Sequence, residues 1–354
     1  MTSTVQDIYM SNATQKKNWQ AFLIKLGITQ FDDQELDVIE QTIGIYDGDQ
    51  LVATGSIAGN IIKYVGTCVI GEMIKGARFN QLMTVLENRM ALLGRFHQFV
   101  YTKPLYVQSF EHIGFKLLAN SNEGALLEKG APDVQDFLNT IPKAPQGVQK
   151  IGSVVVNANP FTIGHRYVIE KAASENNLVY VFVVNQDVSL FHTDERFELV
   201  KQGVKDLKNV VVVVAGGDYI ISYLTFPSYF ITNAQQVIDY QTTIDARIFK
   251  NIIAPSLSIQ TRYVGSEPLS YTTSLYNQTL VRELKPEINV IIVPRIAQYN
   301  QTEIISARKV RQAIADDDFE TWSEIVPETT KKFISQHLAE LQMRIRKGQK
   351  INGN

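Results

Sequence analysis

The chain runs to 354 residues, of which 45% are hydrophobic and 20% charged, and it carries a formal net charge of −2. That length exceeds what one hydrophobic core usually fills, so two domains are expected. The near-balanced charge excludes the broad basic surface that nucleic acid or an anionic lipid face requires, so any bound phosphate must be held by a local site.

Cys68 is the single cysteine, which excludes an intrachain disulfide and removes most zinc-site patterns; this suits a reducing compartment. The opening MTSTVQDIYM lacks a basic flank followed by an apolar core. No stretch reaches the ~18 apolar residues of a spanning helix. The expectation is a soluble, cytoplasmic protein with neither a membrane nor a nucleic-acid partner.

Helical spacing at Trp19, Phe22, Leu23 and Leu26 is followed by strand-like runs at 41–47, 51–58 and 61–70, with a DGD turn at 47–49. A helix is expected from about 78 to 93, then FHQFVYT as a strand, a short helix near 105–113, and closing strands FKLLA and GALLEK. Helices against a largely antiparallel sheet make an α+β domain over 1–138. The stretch 139–149, NTIPKAPQGVQ, reads as a linker because it has two prolines, a glycine and little to bury.

Beyond it the pattern changes. IGSVVV, LVYVFVV, NVVVVVA, TRYVG and INVIIV are β-branched runs without alternation, separated by amphipathic segments such as DERFELVKQGVKDL. Continuous apolar strands alternating with helices predict a parallel sheet covered on both faces, a doubly wound α/β domain over 150–345 with its ligand site at the carboxyl ends of the strands. The final RIRKGQKINGN reads as a frayed basic tail.

Between the first of these strands and the first helix lies NANPFTIGH (157–165). Gly164 permits close backbone approach, Pro160 stiffens the turn, Asn159 and Thr162 add short polar groups, and the helix start near His165 aims N–H groups and a positive dipole end at an anion. Thr162-Ile163-Gly164-His165 resembles the (His/Thr)-x-Gly-His signature of the nucleotidylyltransferase superfamily. The run Ile305-Ser306-Ala307-Arg308-Lys309-Val310-Arg311 is similar to its Ile-Ser-x-x-x-x-Arg motif. Each alone is weak, but the ordered pair is strong.

Within that superfamily, Asn-Pro-Phe-Thr-x-Gly-His together with YVGSEP (263–268), FPSYF (226–230) and LYNQTLVREL (275–284) resembles the citrate lyase ligase family. That resemblance implies a Rossmann-like nucleotidylyltransferase domain preceded by a GNAT-like domain. YTKPLYVQSFEHIGFKLLA (101–119), with Phe110, Gly114 and Phe115, is similar to the closing strand-helix-strand of the GNAT fold. Two departures stand out. GEMIKGARFN (71–80) keeps only Gly76 and Ala77 of the GNAT pyrophosphate loop, and the late motif has Ser306-Ala307-Arg308 where the superfamily often has two hydroxyls.

The resemblance further implies an AMP-forming acid–thiol ligase. Acetate and ATP, the latter carrying Mg²⁺, would give acetyl-adenylate, and the acetyl group would pass to the thiol of the CoA-like prosthetic group on the acyl carrier subunit of citrate lyase. His165, Thr162 and Arg311 are implied as the catalytic groups, with His165 and Thr162 on the α-phosphate and Ser306 and Arg311 on the β- and γ-phosphates. Asn159, Pro160, Phe161 and Gly164 complete that end of the nucleotide site. Gly265 and Glu267 are open between a ribose or base contact and a structural turn. No protein ligand to a metal is implied. An adenylyltransferase acting on a phosphorylated metabolite shares both motifs and is the alternative.

Other features stay open. Arg196 matches a recurring superfamily arginine, yet ordinary capping and pairing beside Asp194 and Glu195 explain it too. Gly216-Gly217 reads as a tight turn, and His97, His112, His192 and His337 as packing or surface residues. The P-loop, Gly-x-Gly-x-x-Gly and Gly-x-Ser-x-Gly patterns are missing from the sequence.

Overall fold

A computed structural model describes residues 3–68, 75–184, 189–214, 219, 227–266, 271–294, 305–349 and 351. The chain divides into two compact units. One gathers 1–137 with 225–244, and the other 138–224 with 245–354.

The first unit is built on a seven-stranded sheet. Its strands are β1 (Thr4–Asp7), β2 (Gln41–Asp47), β3 (Gln50–Ala58), β4 (Ile61–Thr67), β5 (Gln98–Thr102), β6 (Lys116–Asn120) and β7 (Ala125–Lys129), in the order β1-β2-β3-β4-β5-β7-β6. Every neighbouring pair is antiparallel except β4 and β5, which run parallel and pair only at Ile61↔Phe99 and Ile62↔Val100. Ile43, Ile45, Val52 and Ile57 from the sheet meet Leu82, Met83, Leu86 and Met90 of the helix Lys75–Leu92 in one buried cluster. The spacing-based expectation of a helix over 78–93 matches that element to within a turn. The strand expected over 61–70 ends at Thr67, and residues 69–74, which hold most of GEMIK, lie outside the described residues. β1 gives no apolar signal, because all four of its residues are exposed and only backbone pairing with β2 defines it.

Residues 227–231 join this unit although they follow the nucleotide-type strands in sequence. Where β4 and β5 stop pairing, the Tyr229 hydroxyl accepts the Tyr64 N–H at 3.0 Å and donates to the Tyr101 carbonyl at 3.3 Å. Its ring stacks on Tyr64 with centroids 4.1 Å apart. Ser228 N–H donates to Glu35, whose other oxygen pairs with the buried Lys63 at 2.6 Å. An aromatic wedge thus bonds to the backbone of both strands where their ladder stops.

The second unit carries a five-stranded, wholly parallel sheet: β8 (Ile151–Val156), β9 (Leu178–Val183), β10 (Val210–Val214), β11 (Thr261–Gly265) and β12 (Asn289–Val293), in the order β10-β9-β8-β11-β12. β9 is buried along its whole length, as a central strand covered by helices must be. The chain moves outward from β8 to β10 and then returns to β11 on the other side of β8. That reversal places a crevice outside the carboxyl ends of β8 and β11, where open α/β sheets bind ligands. Ile141 and Pro142, inside the expected linker, do bury surface: Ile141 is buried, and the Pro142 carbonyl accepts the Tyr180 hydroxyl at 2.8 Å.

Candidate active site

A cleft of about 220 Å³ opens at that reversal point. The ends of β8, β11 and β12 form its floor, with Asn157, Gly265 and Pro294, and the first turns of two helices form its walls. One is the helix Ile163–Glu175, which brings Thr162, Gly164 and His165; the other is the helix Ala307–Ala315, which brings Ile305, Ser306 and Ala307. Two helix N-termini therefore face one small space, and their N–H groups and dipoles favour an anion there.

The early turn is tightly built. Thr162 is the N-cap, and its hydroxyl accepts the His165 N–H. The Thr162 N–H in turn donates to His165 Nδ1 at 3.1 Å, and the Thr162 hydroxyl lies 2.9 Å from the same nitrogen. Because Nδ1 accepts a backbone N–H, the neutral ring carries its proton on Nε2. The imidazole stacks on Phe161, with ring planes 15° apart. The late turn has the same logic: Ser306 is the N-cap and accepts the Lys309 N–H at 3.2 Å.

The structure separates the expected site residues into two groups. Thr162, Gly164, His165, Gly265 and Ser306 line the cleft. Asn159, Pro160, Phe161 and Arg311 do not, because each is committed to the interior. The Asn159 side-chain oxygen accepts the Phe191 N–H, Pro160 follows a cis peptide bond, and Phe161 is fully buried in the hydrophobic core. Arg311 is 2% exposed and donates through Nη1 to the Asn159 carbonyl and through Nε to the Ile351 carbonyl. Burial and the nearby Arg308 charge push its pKa down to about 10. These four residues shape and join the two turns. Glu267 and Gly216-Gly217 lie outside the described residues.

Arg196 is a buried clamp. It donates to the carbonyls of Phe191, Asn157 and Val184 and to the Thr193 hydroxyl, tying the loops that leave β8 and β9. His192 caps the helix Thr193–Gly203, His97 pairs with Glu128, and His337 lies 3.4 Å from Glu340; none of them lines the cleft. The cleft also contains Asn157, Tyr263, Tyr276 and Asn277, which charge and spacing did not single out. The one sequence signal for the last three was their place inside YVGSEP and LYNQTLVREL. Asn277 donates to the Gly265 carbonyl at 3.1 Å, fixing the end of β11.

The first unit holds a second and larger cavity of about 600 Å³, where β4 and β5 part. Val65, Gly66 and Thr67 line one side, Tyr101 and Thr102 the other, and Tyr229 and Phe230 close one wall. Gly76 and His112 also face it, and Leu105 at its edge is exposed.

The family described as citrate lyase ligase C-terminal domain matches residues 151–334. Over 302 residues the chain is 38% identical to the citrate (pro-3S)-lyase ligase of Haemophilus influenzae, covering 83% of this chain and 88% of that one. Over 325 residues it is 35% identical to the enzyme of the same description from Escherichia coli, covering 88% and 90%. An N-acetyltransferase structure from Staphylococcus aureus is similar over 37% of this chain and 98% of that chain, at 11% identity and a TM-score of 0.30. The expected architecture holds, with an α+β unit on a largely antiparallel sheet and a second unit on a wholly parallel, doubly wound sheet. Among the described residues no helix is long and apolar enough to cross a membrane.

Proposed function

The chain belongs to the citrate lyase ligase family, and on that premise we propose that it activates acetate with ATP and acetylates the thiol of the prosthetic group on citrate lyase's acyl carrier subunit. The supporting observation is the convergence of two helix N-termini, capped by Thr162 and Ser306, on one cleft at the reversal point of a parallel sheet.

In the first step an acetate oxygen attacks the α-phosphorus and the bond to the bridging oxygen breaks, giving acetyl-adenylate and pyrophosphate. A carboxylic acid with a pKa of about 4 to 5 is already ionised at neutral pH, so this step needs no base. What it needs is the alignment of two anions and donors for the charge that builds on the phosphates. We assign the α-phosphate to His165 Nε2–H, a reading supported by the Thr162 N–H that fixes the ring's tautomer. The Ser306 turn suits the β- and γ-phosphates. Mg²⁺ would travel with the triphosphate and offset its negative charge.

In the second step the carrier thiolate attacks the acetyl carbon and AMP leaves with the electron pair of the broken bond. The first unit is the part we assign to the carrier's CoA-like arm or to the carrier itself. Its cavity is large enough for an extended chain, and the domain expected over 1–138 is completed in this reading by 225–244. Deleting the first 148 residues would strip Tyr229, Phe230 and Ile231 of their surroundings, so the test uses the full chain.

Incubation with ATP, labelled acetate and deacetylated carrier subunit should place one acetyl group on the thiol for each AMP and pyrophosphate released. Release of ADP and phosphate, or adenylation of the carrier without acetylation, would refute the assignment.

A further inference from the structure

Tyr276 lines the cleft, while its hydroxyl is bonded to two residues that do not. The hydroxyl donates to Asp245 at 2.8 Å and accepts from Arg262 Nη2 at 2.9 Å. Both partners are almost wholly buried, at 3% and 1% exposure. Arg262 lies over the Phe249 ring, 4.5 Å from its centroid, and its Nε and Nη1 find no hydrogen-bond partner. Burying a guanidinium with two idle donors is unfavourable unless the arrangement serves another end. Here the ion pair fixes one phenol in place. Burial raises the phenol's pKa, so the hydroxyl stays protonated.

The consequence is an aromatic ring anchored at its hydroxyl, in a cleft that also holds Tyr167, Tyr263, several valines and two helix N-termini. The hydroxyl's donor is already used on Asp245 and it already accepts from Arg262, so what the residue presents to a ligand is its π-face. A planar heterocycle is the chemical class that such a face takes, and base–aromatic stacking needs no hydrogen-bond code. We infer that Tyr276 is the stacking platform for the nucleobase of the bound triphosphate, held in place by the buried Asp245–Arg262 pair. This rests on the reading of the cleft as a nucleotide site and deepens it by separating a base end from a phosphate end.

The test measures KM for ATP and inhibition by inorganic tripolyphosphate in the full-length protein, its Tyr276→Leu variant and its Tyr276→Phe variant. Tyr276→Leu should raise KM for ATP on the order of 10-fold. Its inhibition by tripolyphosphate should stay within about twofold, since a phosphate probe does not touch the platform. Tyr276→Phe keeps the ring but releases it from the ion pair, so it should raise KM by less. An unchanged KM in Tyr276→Leu, or equal weakening of ATP and tripolyphosphate, overturns the inference. Failure of tripolyphosphate to inhibit the unaltered protein overturns the nucleotide reading itself, and this inference with it.

Discussion

The carbonyl oxygen of Asn159 accepts a hydrogen bond from the guanidinium of Arg311, so the last motif of the second unit is fastened to the first one. Ile163 makes a parallel link, donating its N–H to the Ile325 carbonyl at 3.1 Å. The residues that grip the early and late turns together lie off the cleft, and those that face it sit on the turns so joined.

Arg311→Lys therefore tests joining rather than charge alone. Lysine keeps the charge but lacks the planar fork that serves two carbonyls at once. It should lower the free energy of unfolding by about 2 kcal/mol, because buried carbonyls lose a charged donor. Acetate-dependent turnover should fall with it. Urea denaturation followed alongside pyrophosphate release checks both, and unchanged stability would show the two turns to be independent.

His165→Ala should lower turnover by about 10²–10³-fold, the usual effect of deleting a donor to developing charge. It should also cost about 1 kcal/mol of stability, since the Thr162 N–H loses its partner at the helix start. His165→Asn, which retains a cap acceptor, should recover stability without recovering the rate. Turnover equal to that of the unaltered protein in either variant would remove His165 from the chemistry.

Gly203 lies at the end of the helix Thr193–Gly203, where alanine would ordinarily help. A methyl group there would meet the Phe161 ring at 2.4 Å and the Thr329 hydroxyl at 3.4 Å. Gly203→Ala should destabilise by about 1–3 kcal/mol through overpacking and disturb the turn that Phe161 anchors. A thermal melt combined with KM for ATP measures the two effects, and a stabilised protein would show that the ring yields freely.

Acid stability supplies a further prediction. Burial acts to raise the Glu283 carboxyl, but Arg247 at 2.8 Å and Arg282 at 3.0 Å outweigh it, and the net pKa lies below the ordinary 4.5. A depressed folded-state pKa contributes stability that is complete above the unfolded value and lost as pH falls through the folded one. Glu283→Gln should thus narrow the gap between urea midpoints measured at about pH 7 and about pH 3. An unchanged gap would place the acid sensitivity elsewhere.

The parallel sheet was legible because strands buried on both faces leave long β-branched runs, as in LVYVFVV. β1 was not, since TVQD shows no pattern until β2 pairs with it. The placement of Tyr229 was illegible for a different reason: its partners, Tyr64 and Tyr101, are far away in sequence, and only the folded sheet brings them to it. At the site, motif spacing located both turns. It could not separate side chains that line the cleft, such as His165, from those buried beneath it, such as Phe161, because both kinds sit in one short string. Tyr276 shows the same limit, since the direction of its ring depends on Asp245 and Arg262 from other elements.

The most direct test of acetate activation in this cleft is exchange of labelled pyrophosphate into ATP by the full-length protein, with and without acetate and with no carrier present. Exchange that appears only with acetate is the expected result. Exchange that ignores acetate, or that needs a phosphorylated acceptor instead, would contradict acyl activation and make the protein an adenylyltransferase.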